Sequence, residues 1–256
     1  MGQHVRHDGM GSLMGAEPFS LRGRTVLVTG AGGGIGAATA RLSAQQGADL
    51  VLCDLEAPAD LASELDRQGC AARAIALDVT DRDATEALIS ALPRLDSVVA
   101  AAGRCVWDDW LDPGWDAEFQ QTIDVNLHAA VHTARAALRR LSGDGGGQIV
   151  LVTSVAGRMG GLKASPHYVA AKGGVISLVR WLAQKGAPQG VRVNGVAPGA
   201  THTAMTQGQS FDTGRIPLGR MADPEEIAGA IVFLCMPAAS YICGTILDVN
   251  GGVVMS

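Results

Sequence analysis

One stretch limits the folds open to this chain more than any other. Residues 24–29, Arg-Thr-Val-Leu-Val-Thr, form a short apolar run. It passes into Gly30-Ala-Gly-Gly-Gly34-Ile-Gly36, and the helical run Ala37 to Gln46 follows at once. A strand, a glycine-rich turn and a helix in that order begin a βαβ unit, and such units build parallel sheets covered on both faces. The alternation continues to the end of the chain. Strands are expected at 49–53, 71–77, 97–100, 148–153, 191–197 and 246–249, and helices at 57–68, 83–92, 118–141, 168–185 and 224–236. Thr80 is the expected cap of the helix at 83, and Asp223 of the one at 224, where Glu225 and Glu226 occupy the first turn.

No linker, repeat or charge block interrupts the pattern. The expectation is therefore an α/β protein with a single-domain Rossmann fold over residues 21–256, a doubly wound parallel β-sheet flanked by helices on both faces. Residues 1–20 are polar, rich in Gly and Met, and lack the apolar stretch of a secretory signal; they read as a disordered N-terminal extension. The sequence is 47% hydrophobic but only 4% aromatic, so the core must be aliphatic. A net charge of −5 argues against nucleic acid or an anionic membrane surface as a partner. No run of 18 apolar residues is present, so no membrane span is expected. The five cysteines (Cys53, Cys70, Cys105, Cys235 and Cys243) are odd in number and include no Cys-x-x-Cys pair. That points to reduced, buried thiols in a cytoplasmic protein, with no disulfide framework and no metal site.

The polar residues of interest fall just after strands, where open α/β sheets bind their ligands. Gly30, Gly33, Gly34, Ile35 and Gly36 suit a phosphate cradle: small residues let the backbone approach, and the helix dipole and free N–H groups favour negative charge. Asp54 ends the second strand. A carboxylate there accepts hydrogen bonds from an adenosine ribose and repels a 2′-phosphate, and Ala31, Gly32, Gly33 and Leu55 supply no compensating cation, which selects NAD over NADP. Further on, Tyr168 and Lys172 lie four residues apart in a helical run, on one face. A cation beside a phenol favours the phenolate, and a phenol lowered in this way is able to exchange a proton with a substrate oxygen.

Several motifs in order and spacing then carry a resemblance. They are Thr29-Gly30-x-x-x-Gly34-Ile-Gly36, Asp78-Val79, Asn126-Leu127, Ser154, Tyr168-x-x-x-Lys172, Asn194, Pro198-Gly199, Thr203 and Val249-Asn250-Gly251-Gly252. From about residue 20 to 256 the chain resembles the short-chain dehydrogenase/reductase family, in its 3-oxoacyl-[acyl-carrier-protein] reductase-like branch. The resemblance implies Tyr168 as general acid/base, Lys172 as the group that lowers its pKa and holds the nicotinamide ribose, Ser154 on the substrate oxygen, and Asn126 ordering a water that relays protons. It also implies cofactor contacts from Asp78, Val79, Ala102, Gly103, Pro198, Gly199, Thr201 and Thr203, with Thr203 on the carboxamide. A homotetramer, or a homodimer, is the implied assembly.

The sequence departs from the family in four places, one of them Thr201, where many relatives carry an Ile or Val beside the nicotinamide. Ala101-Ala102-Gly103 stands where the family usually has Asn-Ala-Gly, which bears on the sheet rather than on catalysis. Gly143 to Gly147 and Gln189 stand where carrier-protein reductases present arginines to the carrier. Ala156 and Ser165 replace the His and Lys with which 3-hydroxybutyrate dehydrogenases hold a carboxylate. Trp107, Met159, Leu162, His167, His202 and Met205 are expected to line the substrate pocket, under a lid over 205–217 with Phe211 as its apolar cover, while Arg158 is expected at the surface. A mainly apolar pocket suits a cyclic or aromatic secondary alcohol, a hydroxysteroid-like molecule or a hydroxyacyl thioester. The expected activity is NAD-linked interconversion of a secondary alcohol and a ketone. Its rivals are an NADPH-linked 3-oxoacyl-[acyl-carrier-protein] reductase and a protein that binds NAD without turnover.

Overall fold

The computed structural model describes residues 17–161 and 163–255. Strand β1 (Thr25–Thr29) leads into α1 (Gly34–Gln45), then β2 (Asp49–Asp54), α2 (Ala59–Arg67), β3 (Ala72–Ala76), α3 (Arg82–Ala91) and β4 (Ser97–Ala100). The second half holds α4 (Trp115–Ile123), α5 (Ala129–Gly143), β5 (Gly147–Val152), α6 (Ala156–Met159), α7 (Pro166–Gly186), β6 (Val191–Pro198), α8 (Pro224–Cys235) and β7 (Ile246–Val249). The strands form one parallel seven-stranded sheet in the order β3-β2-β1-β4-β5-β6-β7. This is the doubly wound sheet expected from the alternation.

Successive strand side chains point to opposite faces, so each strand feeds two cores. Leu27, Val98, Ile149 and Val193 pack with Ile89, Ala137, Leu141 and Val175 on one face. Val26, Val28, Leu52, Val99 and Val150 pack with Ala37, Leu61, Ile227 and Ile231 on the other. Because both faces are covered, the strands read as nearly continuous apolar runs. The strand order reverses between β1 and β4, and a crevice opens there at the strands' carboxyl ends.

Four local expectations are corrected. The stretch read as one helix over 118–141 is broken by a wider π turn at Asp124–His128. There the buried Asn126 sends its Nδ2 to the Thr122 carbonyl at 3.0 Å and the Arg104 carbonyl at 2.8 Å. A side chain that takes the carbonyl four residues back competes with the helical ladder. The cap of α3 is Asp81, which accepts from Ala84 N, while Thr80 turns back onto Asp78. Residues 17–20, placed in the disordered extension, belong to the domain: the Pro18 carbonyl accepts from Ala238 N at 2.8 Å and Ser20 closes a turn on Glu17. The rest of that extension lies outside the described residues. Arg158 is half-buried, its guanidinium 3.0 Å from Asp248 and donating to the Ile246 carbonyl, so it ties α6 to β7. Asp223 does cap α8, in a reciprocal pair with Glu226.

Candidate functional site

The site starts at the glycine turn. A methyl group on Gly36 would lie 1.9 Å from the Gly30 carbonyl oxygen, and one on Gly30 would lie 2.6 Å from Ala102 N. Both glycines are therefore required by the close packing of the turn onto α1 and the end of β4. At Gly33 the same construction meets nothing within 4 Å, so open space faces the turn there. Helix α1 begins next to that space with no side-chain cap and no acidic residue in its first turn. Its uncapped N–H groups and the space before them fit a pyrophosphate. Gly34, with φ +51°, faces Thr203 across the gap.

Asp54 closes one side of this cradle. Its Oδ2 accepts from Gly32 N at 2.7 Å and its Oδ1 from Leu55 N at 2.8 Å. A side chain at position 32 would strike that carboxylate, so the turn and Asp54 are fitted to each other. A carboxylate has about four acceptor sites, and each oxygen keeps one free for a ribose hydroxyl. Asp78 is exposed at the end of β3, and Val79 is buried behind it. The residues thus fit a dinucleotide running along the carboxyl ends of β1 to β4.

Past the switch point, a cavity of about 470 Å³ opens. Of the expected site residues, Ile35, Gly103, Trp107, Ser154, Met159, Tyr168, Lys172, Pro198, Gly199, Thr201, Thr203 and Met205 line it. Ser154, at the end of β5, has its hydroxyl in hydrogen-bond reach of the Tyr168 phenol and accepts from Ala156 N at 3.1 Å. Lys172 lies beneath the tyrosine ring, its Nζ 5.7 Å from the ring centroid, and donates to the Val152 carbonyl at 3.0 Å. Gly157 allows α6 to lie against the α7 backbone at Lys172 and Gly173, where a methyl group would come within 2.7 Å.

The electrostatics differ from the sequence expectation. Burial pushes the Tyr168 phenol up to about 12, and the Ser154 hydrogen bond only partly offsets this. Burial likewise pulls the Lys172 ammonium down to about 8. Taking either group out of water disfavours its charged form, and here that effect dominates both groups. The protein alone therefore holds a neutral phenol, a proton donor, beside a lysine that titrates near neutrality.

Asn126 lies behind Lys172. Its Oδ1 accepts from Arg104 N while its Nδ2 serves two carbonyls, so the side chain braces the chain after β4. Thr29, Val79, Thr133, Asn126 and Lys172 surround a void of about 10 Å³, room for about one water. That position suits the expected proton route from Lys172.

His167 is not a pocket residue. One position before Tyr168, it is turned about 100° around the helix and is fully buried. It stacks on Trp115 and meets Asp108 at 3.1 Å. Ser165, the first residue before α7, also gives its hydroxyl to Asp108 and to the Val106 carbonyl at 2.7 Å. Burial opposes ionisation of Asp108, but the bonds from Ser165 and His167 outweigh it and hold the carboxyl below the usual carboxylate range. This latch joins the loop carrying Cys105 and Trp107 to the start of α7. His202 is exposed and off the cavity wall, and Leu162 lies outside the described residues. Sequence reasoning missed Cys105, Lys163, Asp212 and Arg215 on the wall. Lys163 is close to Tyr168 in sequence, but nothing in the pattern said which way it pointed. Trp107 and Phe211 meet edge to face with centroids 6.0 Å apart, and Trp107 Nε1 donates to the Met205 carbonyl at 3.3 Å, so the lid rests on the indole.

Among the described residues, no helix is long and apolar enough to cross a membrane, and no cluster of His, Cys, Asp and Glu could hold a metal. A family model described as enoyl-(acyl carrier protein) reductase matches residues 30–254. The chain is 41% identical over 239 residues to a cis-4-hydroxycyclohexanecarboxylate dehydrogenase of Sinomonas cyclohexanicum, covering 90% of this chain and 96% of that one. It is 38% identical over 248 residues to a 3-oxoacyl-[acyl-carrier-protein] reductase of Vibrio harveyi, covering 93% and 100%. A structure from Beutenbergia cavernae, provisionally assigned as an NAD(P)-dependent gluconate 5-dehydrogenase and holding NADP at low occupancy, superposes with a TM-score of 0.87 at 36% identity, covering 94% and 100%.

Proposed function

The chain belongs to the short-chain dehydrogenase/reductase family, oxidoreductases acting on CH–OH groups, and from that premise we propose that it is an NAD-dependent dehydrogenase of cyclic secondary alcohols. The observation that carries this reading is that Ser154, Tyr168 and Lys172 line one cavity together with Ile35 and Thr203, which stand beside the glycine turn. The similarity to a dehydrogenase of a hydroxycyclohexane acid supports a ring-shaped substrate.

NAD, when bound, supplies the hydride acceptor. The chain's own residues do the rest. Ser154 Oγ donates to the substrate oxygen and fixes its position. Tyr168 Oη exchanges the proton with that oxygen. As a neutral phenol it is ready to give the proton to a forming alkoxide, which serves ketone reduction. For alcohol oxidation it must first lose its proton, and the Lys172 ammonium against its ring makes that loss less costly. Oxidation should therefore gain rate as pH rises, and reduction should lose it. The preference for NAD rests on Asp54, whose two free acceptor sites match two ribose hydroxyls and whose charge opposes a 2′-phosphate.

Initial rates with NAD and NADP on a panel of cyclic and linear secondary alcohols test the proposal. We expect faster turnover with NAD, and loss of at least about a hundredfold in Tyr168→Phe. A strong NADP preference would favour a 3-oxoacyl carrier reductase and overturn the use of Asp54. Tight NAD binding with no turnover of any alcohol or ketone would make this a binding protein.

A further inference from the structure

Two cations on the cavity wall have no part in the chemistry above. Lys163 comes from the loop before α7, and Arg215 from the short turn Thr213–Arg215 in the lid. The Lys163 ammonium donates to the Ser210 carbonyl and is 3.2 Å from the Ser210 hydroxyl, with its charge 5.7 Å from the Phe211 ring centroid. The lysine is thus held to the lid and still has a donor to spare, since an ammonium carries three. Arg215 is exposed, and the one bond it donates among the described residues is from its backbone N to the Asp212 carbonyl at 3.2 Å. One opposing charge shares the wall: Asp212, whose Oδ1 accepts from Gly214 N at 3.1 Å and which pairs with neither cation. The lid end of the cavity therefore carries two positive groups against one negative one.

Beside Lys163 the wall is apolar: Phe211 packs on Trp107, whose indole bonds the Met205 carbonyl. We propose that Lys163 and Arg215 form an anion subsite that holds a carboxylate of the substrate, so that the alcohol is a hydroxy acid whose carboxylate lies across an apolar ring or chain from the reacting carbon. This deepens the dehydrogenase reading and rests on it for the position of the carbinol. Both cations go with the lid: Lys163 lies 5.7 Å from the Phe211 ring centroid and Arg215 stands four residues further along, whereas Ser154 follows β5 and Tyr168 belongs to α7. On this proposal a 2-hydroxy acid, with its carboxylate one bond from the carbinol carbon, is the poorer substrate. The planar guanidinium suits two parallel bonds to a carboxylate, and the lysine held to the same lid adds a point charge. The apolar groups between them suit the intervening carbons.

The test uses the full chain with NAD and matched pairs: 4-hydroxycyclohexanecarboxylate and its methyl ester, each as the cis and trans isomer. We expect wild type to prefer the acid to the ester by tenfold or more in kcat/KM, mainly through KM. Arg215→Gln should reduce that acid-to-ester ratio by about tenfold, the worth of a charge-assisted hydrogen bond, and Lys163→Gln by less. An ester used as well as the acid, or a ratio unchanged in both variants, overturns the subsite. Turnover of 2-hydroxy acids in preference to the 4-hydroxy acid overturns the remoteness. If no alcohol is oxidised at all, the dehydrogenase reading fails instead. Calorimetric binding of cyclohexanecarboxylate then decides the subsite alone: it stands if Arg215→Gln combined with Lys163→Gln weakens binding tenfold, and falls otherwise.

Discussion

Lys172 should destabilise the fold it serves. The residue is 4% exposed, no carboxylate among the described residues pairs with it, and its Nζ donates to the Val152 carbonyl at 3.0 Å. Burial pulls its pKa from 10.5 to about 8, with Cys105 acting weakly the other way. Below about pH 8 the folded protein must keep an ammonium in that place. Between about 8 and 10.5 the unfolded chain still binds the proton while the folded one has released it, so stability rises with pH across that window. A difference of about 2.5 units corresponds to about 3 kcal/mol at neutral pH. Lys172→Met keeps the length of the side chain and removes the charge, but leaves the Val152 carbonyl without that donor, at a cost of about 1 kcal/mol. The variant should therefore be more stable than wild type by about 2 kcal/mol at pH 7, and the advantage should fall by about 2 kcal/mol at pH 9.5. Tyr168 and the other titrating groups are present in both proteins and cancel in the comparison. Urea unfolding at the two pH values, at one fixed protein concentration, measures it. A variant less stable at pH 7, or an advantage that does not change with pH, would refute the reasoning.

Other consequences are equally open to measurement. Gly33→Ala adds a methyl group in open space at an extended backbone, so unfolding should shift by less than about 1 kcal/mol while the dissociation constant for NAD rises at least about tenfold; unchanged NAD binding by calorimetry would remove Gly33 from the cradle. Gly36→Ala, by contrast, forces a carbon against the Gly30 carbonyl and should cost more than about 4 kcal/mol or prevent folding, as read by expression and thermal melting. Asp54→Ala should lower kcat/KM with NAD by about tenfold or more and raise it with NADP, and a parallel loss with both would show that the residue only braces Gly32. Asp108→Asn should cost about 2 kcal/mol of stability above pH 4, with less difference from wild type as the pH falls below that. It should also raise KM more than it lowers kcat, because the latch holds Cys105 and Trp107 against the cavity rather than touching the reacting atoms.

What the sequence made legible divides along a physical line. Strand and helix positions, the sheet class, the glycine cradle and the group Ser154, Tyr168 and Lys172 are local in character: each depends on residue type at a fixed spacing beside a strand end. The errors arose where tertiary contacts override a local pattern. Nothing in Glu118 to Leu141 foretold that the Asn126 amide would capture the Thr122 carbonyl and open the helix, because its second partner, Arg104, lies 22 residues away. His167 was misplaced because its partner Asp108 lies 59 residues earlier, in a loop without a periodic pattern. Lys163 and Arg215 were missed for the same reason: whether a cation on a loop faces solvent or a cavity depends on how the lid packs, here through Ser210 and Phe211. The direction of the tyrosine shift was the subtlest error. Spacing placed Tyr168 and Lys172 on one face and suggested mutual charge stabilisation, but spacing carries no information about burial. With Lys172 4% exposed and 5.7 Å from the ring centroid, loss of water dominates both groups. Alcohol oxidation therefore needs more than this pair to form a phenolate near neutral pH, and its rate should rise with pH through the range where Tyr168 begins to ionise.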